Sequence, residues 1–161
     1  MKPGACHHFA LRVTDLDRAI AFYEDAFDGQ LVTKPFPLEG PIPEMLYGGG
    51  PGTTVRLCHV AFEDGGVELF EFSRPDVGPS DVPAYAGNII HVAFHVEAVD
   101  AAVKRVAAAG GRLIGDVLDW GGTPFAYCAD PDGNVLEIAQ VGFADTVAIV
   151  HRLFPETIVG G

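Results

Sequence analysis

His8-Phe9-Ala10-Leu11-Arg12-Val13-Thr14-Asp15-Leu16-Asp17-Arg18-Ala19-Ile20 has a counterpart in His91-Val92-Ala93-Phe94-His95-Val96-Glu97-Ala98-Val99-Asp100-Ala101-Ala102-Val103. His, Ala, Val, Asp and Ala recur at 8/91, 10/93, 13/96, 17/100 and 19/102, a constant offset of 83 residues. Each stretch begins with alternating side chains, the period of a strand with two different faces. Each then changes to helical period: Leu16, Ile20, Tyr23 and Phe27 share one face in the first, and Val99, Val103 and Val106 in the second. Asp15 is placed to cap the first helix, and Gly110-Gly111 to close the second.

Strand patterns follow each helix. In the first half they fall near 29–34, 53–62 and 67–73, with the turn Glu63-Asp64-Gly65-Gly66 between the last two. In the second half they fall near 112–117, 123–129 and 134–141, with Asp130-Pro131-Asp132-Gly133 as the corresponding turn. The chain therefore reads as an α+β fold of two paired βαβββ modules, residues 6–73 and 88–142, within one domain over 1–142. Residues 74–87 form a linker, 35–52 an insertion loop rich in Gly and Pro, and 143–161 a tail with a short helix over 144–153. Neither half can bury a sheet face alone. Pairing them buries the helix side of each sheet, and the opposite faces curve into a cup.

With 161 residues, 48% of them apolar, the chain has material for one well-filled core. Its 22 acidic and 10 basic residues give a net charge of −12, which repels nucleic-acid backbones and anionic membranes. No apolar run approaches the roughly 18 residues that a spanning helix needs. The N-terminus lacks the apolar segment of a signal peptide. Cys6, Cys58 and Cys128 are an odd number without a Cys-x-x-Cys pair, which disfavours a disulfide framework and points to a reducing cytoplasm. They read as small apolar core residues.

Alternation assigns the faces. Phe9, Leu11 and Val13 pack under the first helix, leaving His8, Ala10 and Arg12 toward the cup. Val92, Phe94 and Val96 pack under the second, leaving His91, Ala93 and His95 toward the cup. The last strand of each half adds Glu68 with Phe70 and Phe72, and Glu137 with Ala139. A carboxylate between apolar residues, as Glu137 is, is costly unless paired or bound to a cation. Each half thus offers one His and one Glu. Two imidazoles and two carboxylates suit Zn, Ni, Co, Mn or Fe(II), with room left for substrate oxygens. Arg12 is a candidate for an anionic substrate group or a salt bridge, and His95 for substrate contact or proton shuttling. Phe70, Phe72, Phe125 and Tyr127 read either as core or as an apolar pocket wall.

Four motifs carry a family resemblance across residues 6–141: His-x-x-x-x-Val-x-Asp-Leu at 8–16, Val-Glu-Leu at 67–69, His-Val-Ala-Phe-x-Val at 91–96, and Asp-Pro-Asp-Gly-Asn-x-x-Glu at 130–137. The chain resembles the vicinal oxygen chelate superfamily, which includes glyoxalase I, extradiol dioxygenases, fosfomycin-modifying enzymes and bleomycin-binding proteins. The resemblance implies a paired βαβββ fold with a metal at the cup centre, held by His8, Glu68, His91 and Glu137. It implies a metal-dependent lyase or isomerase that chelates vicinal oxygens of a small-molecule substrate. Glu68 or Glu137 would then be the catalytic base, with Arg12, His95, Phe70 and Phe72 at the substrate. Arg12 matches a glyoxalase I arginine used for glutathione, but Phe72-Ser73 stands where glyoxalase I has Asn-Trp. Two alternatives are an Fe(II)-dependent dioxygenase using His8 or His91 with Glu137, and a non-enzymatic binder of a drug or metabolite. A homodimer is the expected assembly.

Overall fold

A computed structural model describes residues 7–46, 50–74, 78–79 and 89–157. The first half runs β1 (His8–Val13), α1 (Leu16–Phe27), β2 (Gln30–Leu38), α2 (Pro41–Leu46), β3 (Thr54–Phe62) and β4 (Gly65–Arg74). The second runs β5 (Val92–His95), α3 (Val99–Ala108), β6 (Arg112–Asp119), β7 (Pro124–Ala129) and β8 (Val135–Ala139). A tail helix, α4 (Phe143–Leu153), and a 3-10 turn at Pro155–Thr157 follow. The strands form two mixed four-stranded sheets ordered β1-β4-β3-β2 and β5-β8-β7-β6, the α+β arrangement of paired modules. Cys6 and most of the 74–87 linker lie outside the described residues.

Local chemistry explains the boundaries. The Asp15 carboxylate accepts from Arg18 N at 3.0 Å, and α1 ends in a left-handed Asp28 (φ 55°). At the end of α3, Gly110 takes φ 94° and Gly111 N donates to Val106 O at 2.9 Å. Gly65 (φ 121°) closes the β3–β4 hairpin so near the chain that an added Cβ would lie 2.7 Å from His7 O. The segment expected as an insertion loop carries more structure than its Gly and Pro content predicts. β2 is an edge strand, where Pro35 and Pro37 remove no obligatory ladder bond, and Pro41 stands at the first position of α2, where its missing N–H costs nothing.

One apolar core joins the halves. Leu11, Val13, Leu16, Phe22, Tyr23 and Leu69 of the first module and Val92, Val106, Leu136 and Ile138 of the second belong to a single buried cluster. Phe94 stacks on Phe27 with ring centroids 4.2 Å apart. Phe9, expected to pack under α1, is instead 42% exposed and lines the cleft between the modules. Cys58 and Cys128 are free and buried as expected, and burial pushes the Cys58 thiol up to about 11.

The Asp-Pro-Asp-Gly-Asn turn does more than connect β7 to β8. Asp132, only 2% exposed, accepts from Thr14 N at 2.9 Å, from the Thr14 hydroxyl and from Arg18 Nη2 at 2.9 Å. Asp130 accepts from the Tyr23 hydroxyl at 3.0 Å and from Asn134 Nδ2 at 2.7 Å, and Asn134 also donates to Arg12 O. Burial raises the Asp130 carboxyl, and these donors partly offset the rise. The turn is thus a polar clasp between modules. Asp132→Ala strands the Thr14 donors in a partly buried site. The expected loss is about 2–3 kcal/mol of unfolding free energy in urea, and a change below about 0.5 kcal/mol would contradict the clasp.

Candidate metal centre

The two modules present His and Glu in the same register. In the first sheet Glu68 pairs with Ala10 of β1, and His8 stands two residues before that alanine. In the second Glu137 pairs with Ala93 of β5, and His91 stands two residues before it. Two residues along a strand return to the same face, so each His meets its Glu diagonally. The His8 Nε2–Glu68 Oε2 distance is 3.5 Å, and the His91 Nε2–Glu137 Oε2 distance is 2.9 Å. The flanking residues of each Glu, Val67 and Leu69 in β4 and Leu136 and Ile138 in β8, are in the shared core. Both carboxylates therefore lie on sheet faces turned away from that core, the faces that alternation assigns to the cup.

A third residue backs each pair from the neighbouring strand. His59 of β3 stands directly opposite Glu68, and its Nε2 lies 2.9 Å from Glu68 Oε1. Tyr127 of β7 stands directly opposite Glu137 and donates its hydroxyl to Oε2 at 3.2 Å. Burial first, and then the Glu137 charge, raise the Tyr127 phenol, so it stays a proton donor at neutral pH. Sequence reading missed His59. The signal was present: counting outward from the Glu63-Asp64 turn puts His59 opposite Glu68. Glu71, next along the strand, is fully engaged elsewhere: it accepts from Leu16 N at 3.2 Å and from Arg56 Nε at 2.7 Å.

The remaining candidates divide. Phe70 and Phe72 lie on the Glu68 face and cluster with Val55, Leu57 and Leu38. Phe125 and Tyr127 meet edge to face at 6.2 Å beside Glu137. Arg12 lies in register with Phe70 and donates Nη1 to Gly78 O at 2.8 Å, so its guanidinium is tied at least partly to the linker. His95 is exposed and shares with His8, Phe27, Phe62, Phe94 and Arg105 a cleft of about 680 Å³ between the modules. That cleft excludes Glu68, His91 and Glu137, and the ligand-type side chains rather than the cleft mark the chemistry. Successive residues of a strand point to opposite faces, yet the His7 ring lies 4.3 Å from the His8 ring.

The donor set fits a divalent cation. Each face offers a partly exposed imidazole and carboxylate, and among the described residues these carboxylates have no cationic partner other than the imidazoles and the buried His91 Nδ1 has no hydrogen-bond partner. Among the described residues, however, no three His, Cys, Asp or Glu side chains converge on one point. Each module presents one His–Glu pair.

The chain matches a family described as the Glyoxalase/Bleomycin resistance protein/Dioxygenase superfamily over residues 5–138. It is 27% identical over 135 residues to a lactoylglutathione lyase of Salmonella typhimurium, covering 83% of this chain and 90% of that protein. It is 30% identical over 152 residues to a 2-epi-5-epi-valiolone epimerase of Actinomyces sp, covering 86% and 81%. A lactoylglutathione lyase of Arabidopsis thaliana is 29% identical over 137 residues, and this chain spans only 44% of that protein's length. Among solved structures, a glyoxalase family protein from Bacillus cereus superposes with a TM-score of 0.73 at 24% identity, covering 86% of this chain and 95% of that one, which is a likeness of fold.

Proposed function

We propose, from the premise that this chain belongs to the Glyoxalase/Bleomycin resistance protein/Dioxygenase superfamily, that it is a metal-dependent lyase or isomerase of glyoxalase type acting on a small substrate with two adjacent oxygens. The observation that carries the reading is the repeated register: a His and a Glu meet on the outward face of each module, with a hydrogen-bonding partner opposite each Glu. His8, Glu68, His91 and Glu137 would hold one Zn, Ni, Co or Mn ion. When bound, such an ion polarises a carbonyl oxygen and acidifies the neighbouring C–H.

The side chains do the rest. Glu68 does not turn away toward solvent; it stays with His8 and His59, which favours four ligands over the two-His, one-carboxylate set of an iron dioxygenase. The relatives' names, lyase and epimerase, likewise denote non-redox reactions. Glu137 takes the proton from carbon, with Tyr127 steadying its charge. Phe70 and Phe72 offer an apolar wall. The glutathione question turns on Arg12 and on Phe72-Ser73: the arginine is shared with the linker carbonyl, so the substrate need not be a glutathione adduct. Buried, unpaired Cys58 and Cys128 suit a reducing cytoplasm. No helix among the described residues is long and apolar enough to cross a membrane.

In this reading the complete site is made by two chains. The His–Glu faces of one chain point away from its own core, so the outward face of one module meets the outward face of the partner's other module. Metal analysis by mass spectrometry, on tag-free protein purified without chelator, tests the proposal. About one Ni, Co, Zn or Mn per site is expected, followed by solvent-deuterium incorporation into hemithioacetals or other α-hydroxycarbonyls. Predominant iron would favour the dioxygenase alternative. No metal, even after loading, would overturn the four-ligand site.

A further inference from the structure

The structure assigns to His59, locked by Thr33, the positioning of Glu68 in the metal centre, an inference that rests on the four-ligand reading above. Three contacts define the imidazole. Its backbone N–H donates to Thr33 Oγ1 at 2.9 Å, its Nδ1 lies 2.8 Å from the same oxygen, and its Nε2 lies 2.9 Å from Glu68 Oε1. Phe36 lies nearly parallel beside the ring, with centroids 6.2 Å apart and planes 15° apart. The β2–β3 ladder is irregular on both sides of the Thr33–His59 pair, with register shifts at Leu31/Thr33 and Thr33/Phe36. Such bulges re-aim side chains, and here they bring Thr33 and Phe36 to one histidine.

The tautomer follows from the bonding. A carboxylate only accepts, so the Nε2 that lies 2.9 Å from Glu68 Oε1 carries the ring proton. Nδ1 of a neutral ring is then the acceptor, and the Thr33 hydroxyl, which takes the His59 backbone N–H on a lone pair, donates its own proton to it. A donor fixed on one carboxylate oxygen leaves the other, Oε2, oriented on the His8 side. This is the arrangement by which outer residues fix a ligating carboxylate and raise metal affinity. The halves differ here: the corresponding donor at Glu137 is the Tyr127 phenol, at the longer distance of 3.2 Å. Glu68 is thus held through both oxygens, by His59 at Oε1 and His8 at Oε2, whereas Tyr127 and His91 both meet Glu137 at Oε2.

The test is Co²⁺ titration of metal-free full-length protein, read by affinity and by the visible ligand-field spectrum, with the thermal midpoint of each metal-free variant measured alongside. His59→Leu is expected to weaken Co²⁺ binding by about 10–100-fold and to change the band shape. His59→Gln, whose amide N–H reaches the same oxygen, is expected to recover most of the affinity, and Thr33→Val to fall between them. If His59→Leu binds Co²⁺ like the parent with the same spectrum, whatever its thermal midpoint, the positioning role is wrong. If His59→Gln fails to rescue, the imidazole acts in some way other than as a donor, and the assignment is again wrong. Glu68→Gln and His91→Ala in the same series separate the two levels: parental Co²⁺ binding by both would overturn the four-ligand site itself.

Discussion

Glu137→Gln is expected to lower turnover by about 10²–10⁴-fold at saturating metal, the range lost when a positioned general base is removed. Glutamine keeps the length and one acceptor oxygen of the side chain but cannot accept the substrate proton. The assignment to Glu137 rather than Glu68 follows from how each is held. Glu68 is held through both oxygens, Oε1 at 2.9 Å by an imidazole that is itself tied to Thr33 and Oε2 at 3.5 Å by His8, whereas His91 at 2.9 Å and the Tyr127 phenol at 3.2 Å both meet Glu137 at Oε2. A base must move toward carbon and back, and the less tightly held carboxylate does so at lower cost. Tyr127 helps by staying protonated: burial and the adjacent charge both raise its phenol, so it stabilises an ionised Glu137. Glu68→Gln should instead act mainly through metal affinity, losing activity at low metal and regaining part of it when metal is supplied in excess. The measurements are the rate of solvent-deuterium exchange on an accepted substrate and the metal content of each variant. Full turnover by Glu137→Gln would remove it as the base, and the deeper loss at saturating metal in Glu68→Gln would move the role to the first module.

The strand–helix–strand repeat was legible because two independent signals coincide in it. The alternation at His8–Val13 gives way to helical period at Leu16, and the same change recurs at His91–Val99. Ligand-type residues were legible for a related reason, since a His opening the first strand and a Glu inside the last are conspicuous when both recur. Three features were harder to read. His59 looked like an isolated polar residue in an apolar strand, and it becomes meaningful only once the hairpin register sets it opposite Glu68. Asp130 and Asp132 were read as turn formers, since a carboxylate in such a turn has a sufficient local reason to be there. Their bonds to Tyr23, Thr14 and Arg18 span more than 100 residues of sequence and leave no local trace. Phe9 obeys the strand's alternation but lines the cleft between the modules, a matter of three-dimensional placement that periodicity does not encode.

Mixing two inactive variants should restore metal binding and turnover. One chain carries His8→Ala with Glu68→Gln and so lacks the first module's half; the other carries His91→Ala with Glu137→Gln and lacks the second's. The reasoning starts from the core. Leu11, Val13 and Leu69 pack in the same cluster as Val92, Leu136 and Ile138, so within one chain the modules meet through their helix-side surfaces. The His–Glu pairs occupy the other faces, where Phe36 is 38% exposed beside His59 and Leu118 is 53% exposed opposite Phe125. Apolar side chains left open around a His–Glu pair suit a surface that a second copy covers. If each site joins the first module of one chain to the second module of its partner, a mixed dimer contains one site with both halves intact and one with both halves disabled. Random reassociation makes about half of the dimers mixed, so about a quarter of all sites recover, while neither parent alone recovers any. Differently tagged chains, refolded together and purified for both tags, raise the recovered share to about half. Doubly tagged dimers that form but bind no metal and turn over no substrate would mean that the four ligands converge within a single chain, through a packing of the two modules other than the shared core described here.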